Sequence, residues 1–226
     1  AAMQDYDRAI IVGNNSYGKG TVQRFIDLDR AVRGFENLKP LGNLLVTMQK
    51  FYRINGGSTQ LKGVEPDIYL PDRYTYMDIG EREYDYALDW TSIDPLTYNQ
   101  SVRVENDKSE LADRSKNRIK DNLTFHLIDQ QAHHLKEKSE MSEYPLNLAA
   151  YQEVIAKRKA QDAKYKDISK ENIESLYISN LEADLGFINM DETTQARNEE
   201  WLKALKKDVY IEEALNIMKD MIELEG

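Results

Sequence analysis

The chain has 226 residues, 41 % hydrophobic and 31 % charged, the balance of a folded globular protein with room for one or two domains. Its net charge of −10 argues against nucleic acid and anionic membrane surfaces as partners, because both would repel it. With no cysteine, disulfides, thiolate metal sites and a cysteine nucleophile are excluded.

The charge is uneven. Residues 1–80 hold ten Lys/Arg and nine Asp/Glu, a net of +1, whereas residues 81–226 carry a net of −11. That contrast predicts a neutral first part and a separate acidic second part. No stretch reaches the apolar length needed to span a bilayer. The opening Ala1-Ala2-Met3-Gln4-Asp5-Tyr6 reads as the last turns of a helix with no cap before it, so an upstream region is expected.

Arg8 to Gly13 is a short apolar run ending in glycine, a predicted buried strand. Asn14 to Gly20, rich in Gly, Asn and Ser, is a loop. Residues 21–28, with Thr21, Val22, Phe25 and Ile26, form a predicted second strand, and Leu44 to Arg53 a longer third one. Val64 to Leu70 is a final edge strand, where Pro66 is tolerated. A connector dense in Tyr and Asp follows and closes at Pro95. Beyond it the pattern turns helical. Leu111, Ile119, Leu123, Leu127 and Leu135 recur at helical intervals over residues 108–140, and residues 146–168 read as another helix. Asp208 is placed to cap a last helix with Ile211, Leu215, Met218 and Ile222 on one face.

Three blocks carry a resemblance. Gly18-Lys19-Gly20-Thr21-Val22-Gln23 resembles the lysine motif of the tail-specific proteases, also called C-terminal processing peptidases. Thr47 to Gln60 and Lys62 to Ile68 resemble the next two blocks of that family, in the same order. The segment ending Trp90-Thr91-Ser92-Ile93-Asp94-Pro95 and the closing Asp208 to Met218 resemble its larger bacterial members, which carry a helical C-terminal domain. The resemblance is dense over residues 1–70 and patchy over 80–226. It implies an α+β chain: part of an α/β protease core over residues 1–75, a connector over 76–100 and an acidic helical domain over 101–226.

The resemblance further implies a Ser–Lys endopeptidase of protein substrates recognised at accessible, apolar C-termini. Its nucleophilic serine lies on a helix just upstream of Ala1, as does a peptide-binding PDZ module, so residues 1–226 alone are expected to be inactive. The family is exported, which implies the periplasm of a Gram-negative bacterium. No metal or organic cofactor is implied, and an adaptor protein on the helical domain is.

The chemistry explains the residues. A serine hydroxyl is a poor nucleophile until a base takes its proton, and a lysine serves as that base only as the neutral amine. Lys19 is the residue to which the resemblance gives this role. If residues 19–23 are extended, Lys19, Thr21 and Gln23 share one strand face, and the Gln23 amide stands where it would hydrogen-bond and orient the amine. Asp5 corresponds to an aspartate proposed as a further catalytic member; as a helix-end carboxylate it has structural uses as well. Read without the motif, Lys19 is a solvated loop charge and Gln23 an exposed strand position.

Four other readings compete. Gly13 to Thr21 nearly fits a phosphate-binding loop, which needs a helix directly after it. Ser16-Tyr17-Gly18-Lys19 spells S-x-x-K, a motif that needs Ser and Lys on successive helical turns. His133 and Glu137, four apart, would face one ion on a helix, although a third ligand is not evident. The helical part is also a candidate protein-binding module, a reading that a large exposed apolar patch would favour.

Overall fold

A computed structural model describes residues 1–98, 107–166, 168 and 172–225. The protein is α+β. Its elements run, in chain order, α1 (Ala2–Asp5), β1 (Val12–Gly13), β2 (Thr21–Asp27), α2 (Leu28–Ala31), β3 (Asn43–Lys50), β4 (Ile68–Tyr69), α3 (Lys108–Asp121), α4 (Leu123–Glu140), α5 (Leu148–Lys164), α6 (Leu185–Ile188), α7 (Glu192–Leu205) and α8 (Val209–Glu225). Contacts divide the chain into two units. One holds Ala1–Ile11, Asn15–Pro66 and Asp78–Val104; the other holds Val12–Asn14, Asp67–Met77 and Glu105–Gly226. The expected start of the helical domain at residue 101 lies outside the described residues.

The first unit is built on β2 and β3, an antiparallel pair with Thr21 opposite Lys50 and Asp27 opposite Asn43. The register slips between Val22 and Gln23, so the ribbon carries a bulge there. Of the β2 residues only Thr21 is buried, whereas Val22 and Phe25 are exposed. On β3, Leu44, Leu45 and Met48 are exposed too. Consecutive strand residues point to opposite faces, so this ribbon presents apolar side chains on both.

What is buried in the first unit is polar: Thr21, Ser58, Thr59, Gln60 and Glu81. Close backbone approach takes the place of an apolar core. A Cβ on Gly20 would stand 2.5 Å from the Gln60 nitrogen and 2.6 Å from Ser58 Oγ. A Cβ on Gly63, whose φ is 73°, would run into the Ser16 carbonyl. Glycine is required where chains meet this closely.

The second unit has the apolar core. Leu70, Phe125, Ile128 and Val209 are buried together, with Val12, Ile119, Ile173 and Tyr210 packed against them. The short strands β1 and β4 pair in parallel, Val12 with Ile68 and Gly13 with Tyr69. Phe125 and Tyr210 meet edge to face at 5.6 Å. The Tyr210 hydroxyl donates to the Pro71 carbonyl at 3.0 Å. Burial pushes its pKa up to about 12, with the Asp72 and Asp208 charges adding to the effect.

The helices differ from the sequence reading in three places. The run 108–140 is two helices, not one. Asn122 ends α3, with its N–H on the Ile119 carbonyl, and caps α4, accepting from the Thr124 and Phe125 amides at 2.8 and 3.3 Å. Helix α7 was not expected. Helix α8 is capped by Asp208 as expected, with the Tyr210 amide 2.9 Å from its carboxylate, but Leu215, Met218 and Ile222 face outward. The buried stripe is Val209, Glu213, Ile217 and Asp220. Two carboxylates fit there because α3 brings arginines to them. Arg118 Nη2 donates to Glu213 at 2.8 Å and its Nη1 lies 2.7 Å from Asp220, while Arg114 reaches Asp220 at 3.4 Å.

Removing one partner of such a pair strands the others. Arg118→Met is expected to destabilise the protein by about 3 kcal/mol, the low end for a broken buried pair because the Arg118 side chain is 31 % exposed. Urea unfolding of the variant and of Lys157→Met, which sits in a surface pair, is the measurement. Equal stability of the two variants would contradict it.

Candidate functional site

Lys19 sits at the mouth of β2 on a segment tied at every residue. The Tyr17 carbonyl accepts from the Glu81 amide at 2.9 Å, and the Gly18 carbonyl from the Leu61 amide at 2.7 Å. The Lys19 carbonyl accepts from Thr59 Oγ1 at 3.3 Å. The Gly20 amide donates to Gln60 Oε1 at 2.7 Å, and the Gly20 carbonyl accepts from the Phe51 amide at 3.0 Å. Residues 59–61 thus clamp residues 18–20 in register. The Gly18-Lys19-Gly20 block and the Ser58-Thr59-Gln60 block are thereby one structural unit.

The Lys19 side chain is 40 % exposed, and its Nζ lies 3.6 Å from Glu81 Oε1. The Glu81 side chain is 10 % exposed. It opens a short 3-10 turn, Glu81–Glu83, that follows Gly80. Gln60, fully buried, donates from Nε2 to Glu81 Oε1 at 3.2 Å. One amide therefore holds both the backbone beside Lys19 and the carboxylate facing its amine. Sequence reasoning missed Glu81 and Gln60. Glu81 lies in the connector, 62 positions beyond Lys19, with no periodic pattern to single it out.

Gln23 lies on β2, exposed, with its amide donating to Thr47 Oγ1 at 3.3 Å. The expected amide bond to Lys19 is not formed. Thr21 is buried while Gln23 is exposed, and the bulge between Val22 and Gln23 turns the strand at this point. Asp5 is held apart from both. Its carboxylate receives Arg53 Nε at 2.9 and 3.0 Å, and Arg53 Nη2 also donates to Gln4 Oε1 at 2.8 Å. The Asp5 side chain is 6 % exposed, and its carbonyl accepts from the Tyr98 hydroxyl at 2.6 Å. Gln4, Arg53, Lys62 and Trp90 border a depression beside this pair. Lys62 stands over the Trp90 ring at 4.1 Å, and Trp90 Nε1 donates to the Ser58 carbonyl at 2.8 Å.

The competing readings meet the same geometry. β2 starts at Thr21, directly after Gly20, so a strand stands where a phosphate loop needs a helix N-terminus. Ser16 is in the loop, its Oγ accepting from the Val64 amide at 2.8 Å, and is not on a helix with Lys19. His133 stacks on Tyr76 with ring centroids 4.0 Å apart and lies 3.7 Å from Asp129. Among the described residues no three His, Asp or Glu side chains gather as ligands. No helix among them is long and apolar enough to cross a membrane.

Comparison with known proteins gives two family matches along the chain. Residues 74–223 match the family described as the C-terminal domain of tail specific protease, and residues 1–70 match Peptidase family S41. A tail-specific protease of Haemophilus influenzae is 51 % identical over 104 residues, covering 43 % of this chain and 14 % of that protein. A carboxy-terminal-processing protease of Bartonella bacilliformis is 40 % identical over 88 residues, covering 36 % of this chain and 18 % of that protein. The chain therefore spans less than a fifth of the length of either relative. With a family match over most of its residues and a second over the remainder, the chain belongs to the tail-specific proteases.

Proposed function

We propose that the chain is part of a serine-type endopeptidase that degrades or processes proteins recognised by their C-termini, with Lys19 as general base and the nucleophilic serine contributed from outside residues 1–226. The observation that supports this most is the placement of Lys19. A lysine on a loop fixed at both neighbours, with its amine still reachable, is suited to a partner group arriving from elsewhere in a larger protein. The base would take the hydroxyl proton as the oxygen attacks the scissile carbonyl, and return it to the departing amine. Residues 1–75 belong in this reading to the protease core and residues 101–226 to the helical domain, joined by the connector 76–100. Gln23 and Asp5 support the site, Gln23 from the adjacent strand turn and Asp5 through its bond to Arg53.

Protein substrates would be bound by strand addition, their main chain giving affinity and their C-terminal side chains selection. The periplasm is the proposed location, on family resemblance. An adaptor docking on the helical domain is favoured by the outward stripe of Leu215, Met218 and Ile222 on α8.

The test is cleavage of an unstructured protein with an apolar C-terminus. Residues 1–226 alone are expected to give none, and the full-length enzyme to lose turnover in Lys19→Ala. Cleavage by the 226-residue chain that disappears in Ser16→Ala would overturn the assignment and make Ser16 the nucleophile.

A further inference from the structure

We infer that Glu81 is a positioning residue for Lys19, the third group that orients the base and stabilises it once protonated; the inference rests on the reading of Lys19 as base. When a base accepts a proton in the transition state, it becomes a cation. In serine hydrolases that use histidine, a buried carboxylate behind the base holds it in place and stabilises the cation that forms. Glu81 stands in that relation to Lys19. Its carboxylate is nearly buried, 3.6 Å from Nζ, and is the acidic group that faces the amine among the described residues.

The surroundings argue that the placement is built. Glu81 is fixed at its backbone by the amide bond to the Tyr17 carbonyl, two residues before Lys19. It is fixed at its side chain by Gln60 Nε2, from the same amide whose oxygen holds the Gly20 nitrogen. Tyr17 and Tyr84, hydroxyl to hydroxyl at 3.2 Å, stitch the loop to the end of the Glu81 turn. Gly80, at φ 149°, lets that turn pass with its Cα close to the Tyr17 carbonyl. A buried carboxylate with no task would be costly, and here it is held between the Gln60 amide and the Lys19 amine. Glu81 also lies within residues 74–223, the stretch matched to the C-terminal domain of tail specific protease. The positioning group thus lies in the stretch matched to that C-terminal domain, outside residues 1–70 matched to the peptidase family.

During the reaction the hydroxyl proton would pass to Nζ, giving ammonium, while the oxygen bonds to the carbonyl carbon and the C=O π pair moves to the carbonyl oxygen, giving a tetrahedral oxyanion. The Glu81 carboxylate gains its strongest attraction at that moment, so its effect belongs to the chemical step and not to substrate binding.

The experiment uses the full-length enzyme with Glu81→Gln, Glu81→Asp and Lys19→Ala, read as kcat and KM separately, with a thermal melt of each. Glu81→Gln keeps the size and removes the charge; Glu81→Asp keeps the charge on a shorter arm that the flexible lysine can follow. The expected result is that Glu81→Gln lowers kcat by on the order of tenfold or more at unchanged KM and melting temperature, while Glu81→Asp retains more activity. A purely structural role gives the reverse order, because glutamine is the better isostere, and that order would overturn the proposal. So would a Glu81→Gln enzyme within about twofold of the parent kcat while Lys19→Ala is dead. An active Lys19→Ala enzyme would fail differently, removing the base reading itself.

Discussion

Lys19→Arg in the full-length enzyme is expected to be as inactive as Lys19→Ala while binding substrate normally. Arginine matches the protonated form of lysine in charge, has a similar reach and an even better geometry for the Glu81 carboxylate, which it would engage in a fork. Everything structural at the position is retained. What is lost is the lone pair, because guanidinium stays protonated at any working pH and cannot accept the serine proton. The loss should fall on kcat, by about 10³-fold or more for removal of a catalytic base, with KM little changed. Gln23→Ala should be milder. Gln23 is exposed and bonded to Thr47, so its removal disturbs the strand beside the site without touching the amine. Turnover measured for the three variants checks both statements. Near-normal activity in Lys19→Arg would mean that Lys19 contributes charge, not basicity.

Gly20→Ala should be nearly as damaging, although it adds one methyl and removes no functional group. The new Cβ would lie 2.5 Å from the Gln60 nitrogen, 2.6 Å from Ser58 Oγ and 2.9 Å from Gln60 Cβ. Two of these atoms belong to the residue whose amide holds Gly20 and Glu81, so relief of the clash must part the clamp around Lys19. Overpacking of this kind costs about 1–3 kcal/mol in stability. The loss of turnover should exceed what the folded fraction accounts for, because small misplacement of a catalytic group is amplified in rate. Gly186→Ala is the control. A Cβ there meets nothing within 4 Å, and in α6 the exchange should be neutral or stabilising by about 0.5–1 kcal/mol. Melting curves and turnover of the two variants side by side are the measurement; equal behaviour would sink the clamp argument.

The sequence was informative where local rules govern. Residues 21–27 are strand because β-branched and apolar residues follow a glycine-rich loop, and the Gly18-Lys19-Gly20 spacing announces close backbone approach. Asp208 was recognisable as a cap because a short acceptor side chain precedes an apolar run. The failures have physical reasons. The break at Asn122 leaves no mark in the apolar recurrence over 108–140; its capping role depends on an extended backbone. On α8 the apolar periodicity groups Leu215, Met218 and Ile222 on one face without saying whether it is covered. The buried face carries Glu213 and Asp220, which the α3 arginines neutralise from about a hundred residues away in sequence. Such pairing leaves no local trace. The same holds for the site. Lys19 was legible from a motif, but Gln60 and Glu81 meet it across 41 and 62 positions, and the Asp5–Arg53 bond spans 48. Conversely, the expected link from Gln23 to Lys19 rested on ideal strand alternation, which the bulge interrupts.

The ribbon of β2 and β3 has a consequence for how the protein behaves in the tube. Its outer edges are unpaired among the described residues, both of its faces carry exposed apolar side chains, and Phe25 is 72 % exposed. Between Val22 and Ile26 the single charge is Arg24, and from Leu44 to Gln49 there is none. Edge strands kept apart in solution usually carry charges, prolines or bulges as gatekeepers, and here these are Arg24, Asp27, Lys50 and the bulge at Val22 and Gln23. The acidic repulsion that keeps molecules separate resides after residue 80, and salt screens it over about 10 Å at 0.1 M. Raising salt or concentration is therefore expected to bring these strands together, so the fifteen strand residues (Thr21–Asp27 and Asn43–Lys50) and the acidic helices act in opposite senses on the colloidal stability of this 226-residue chain.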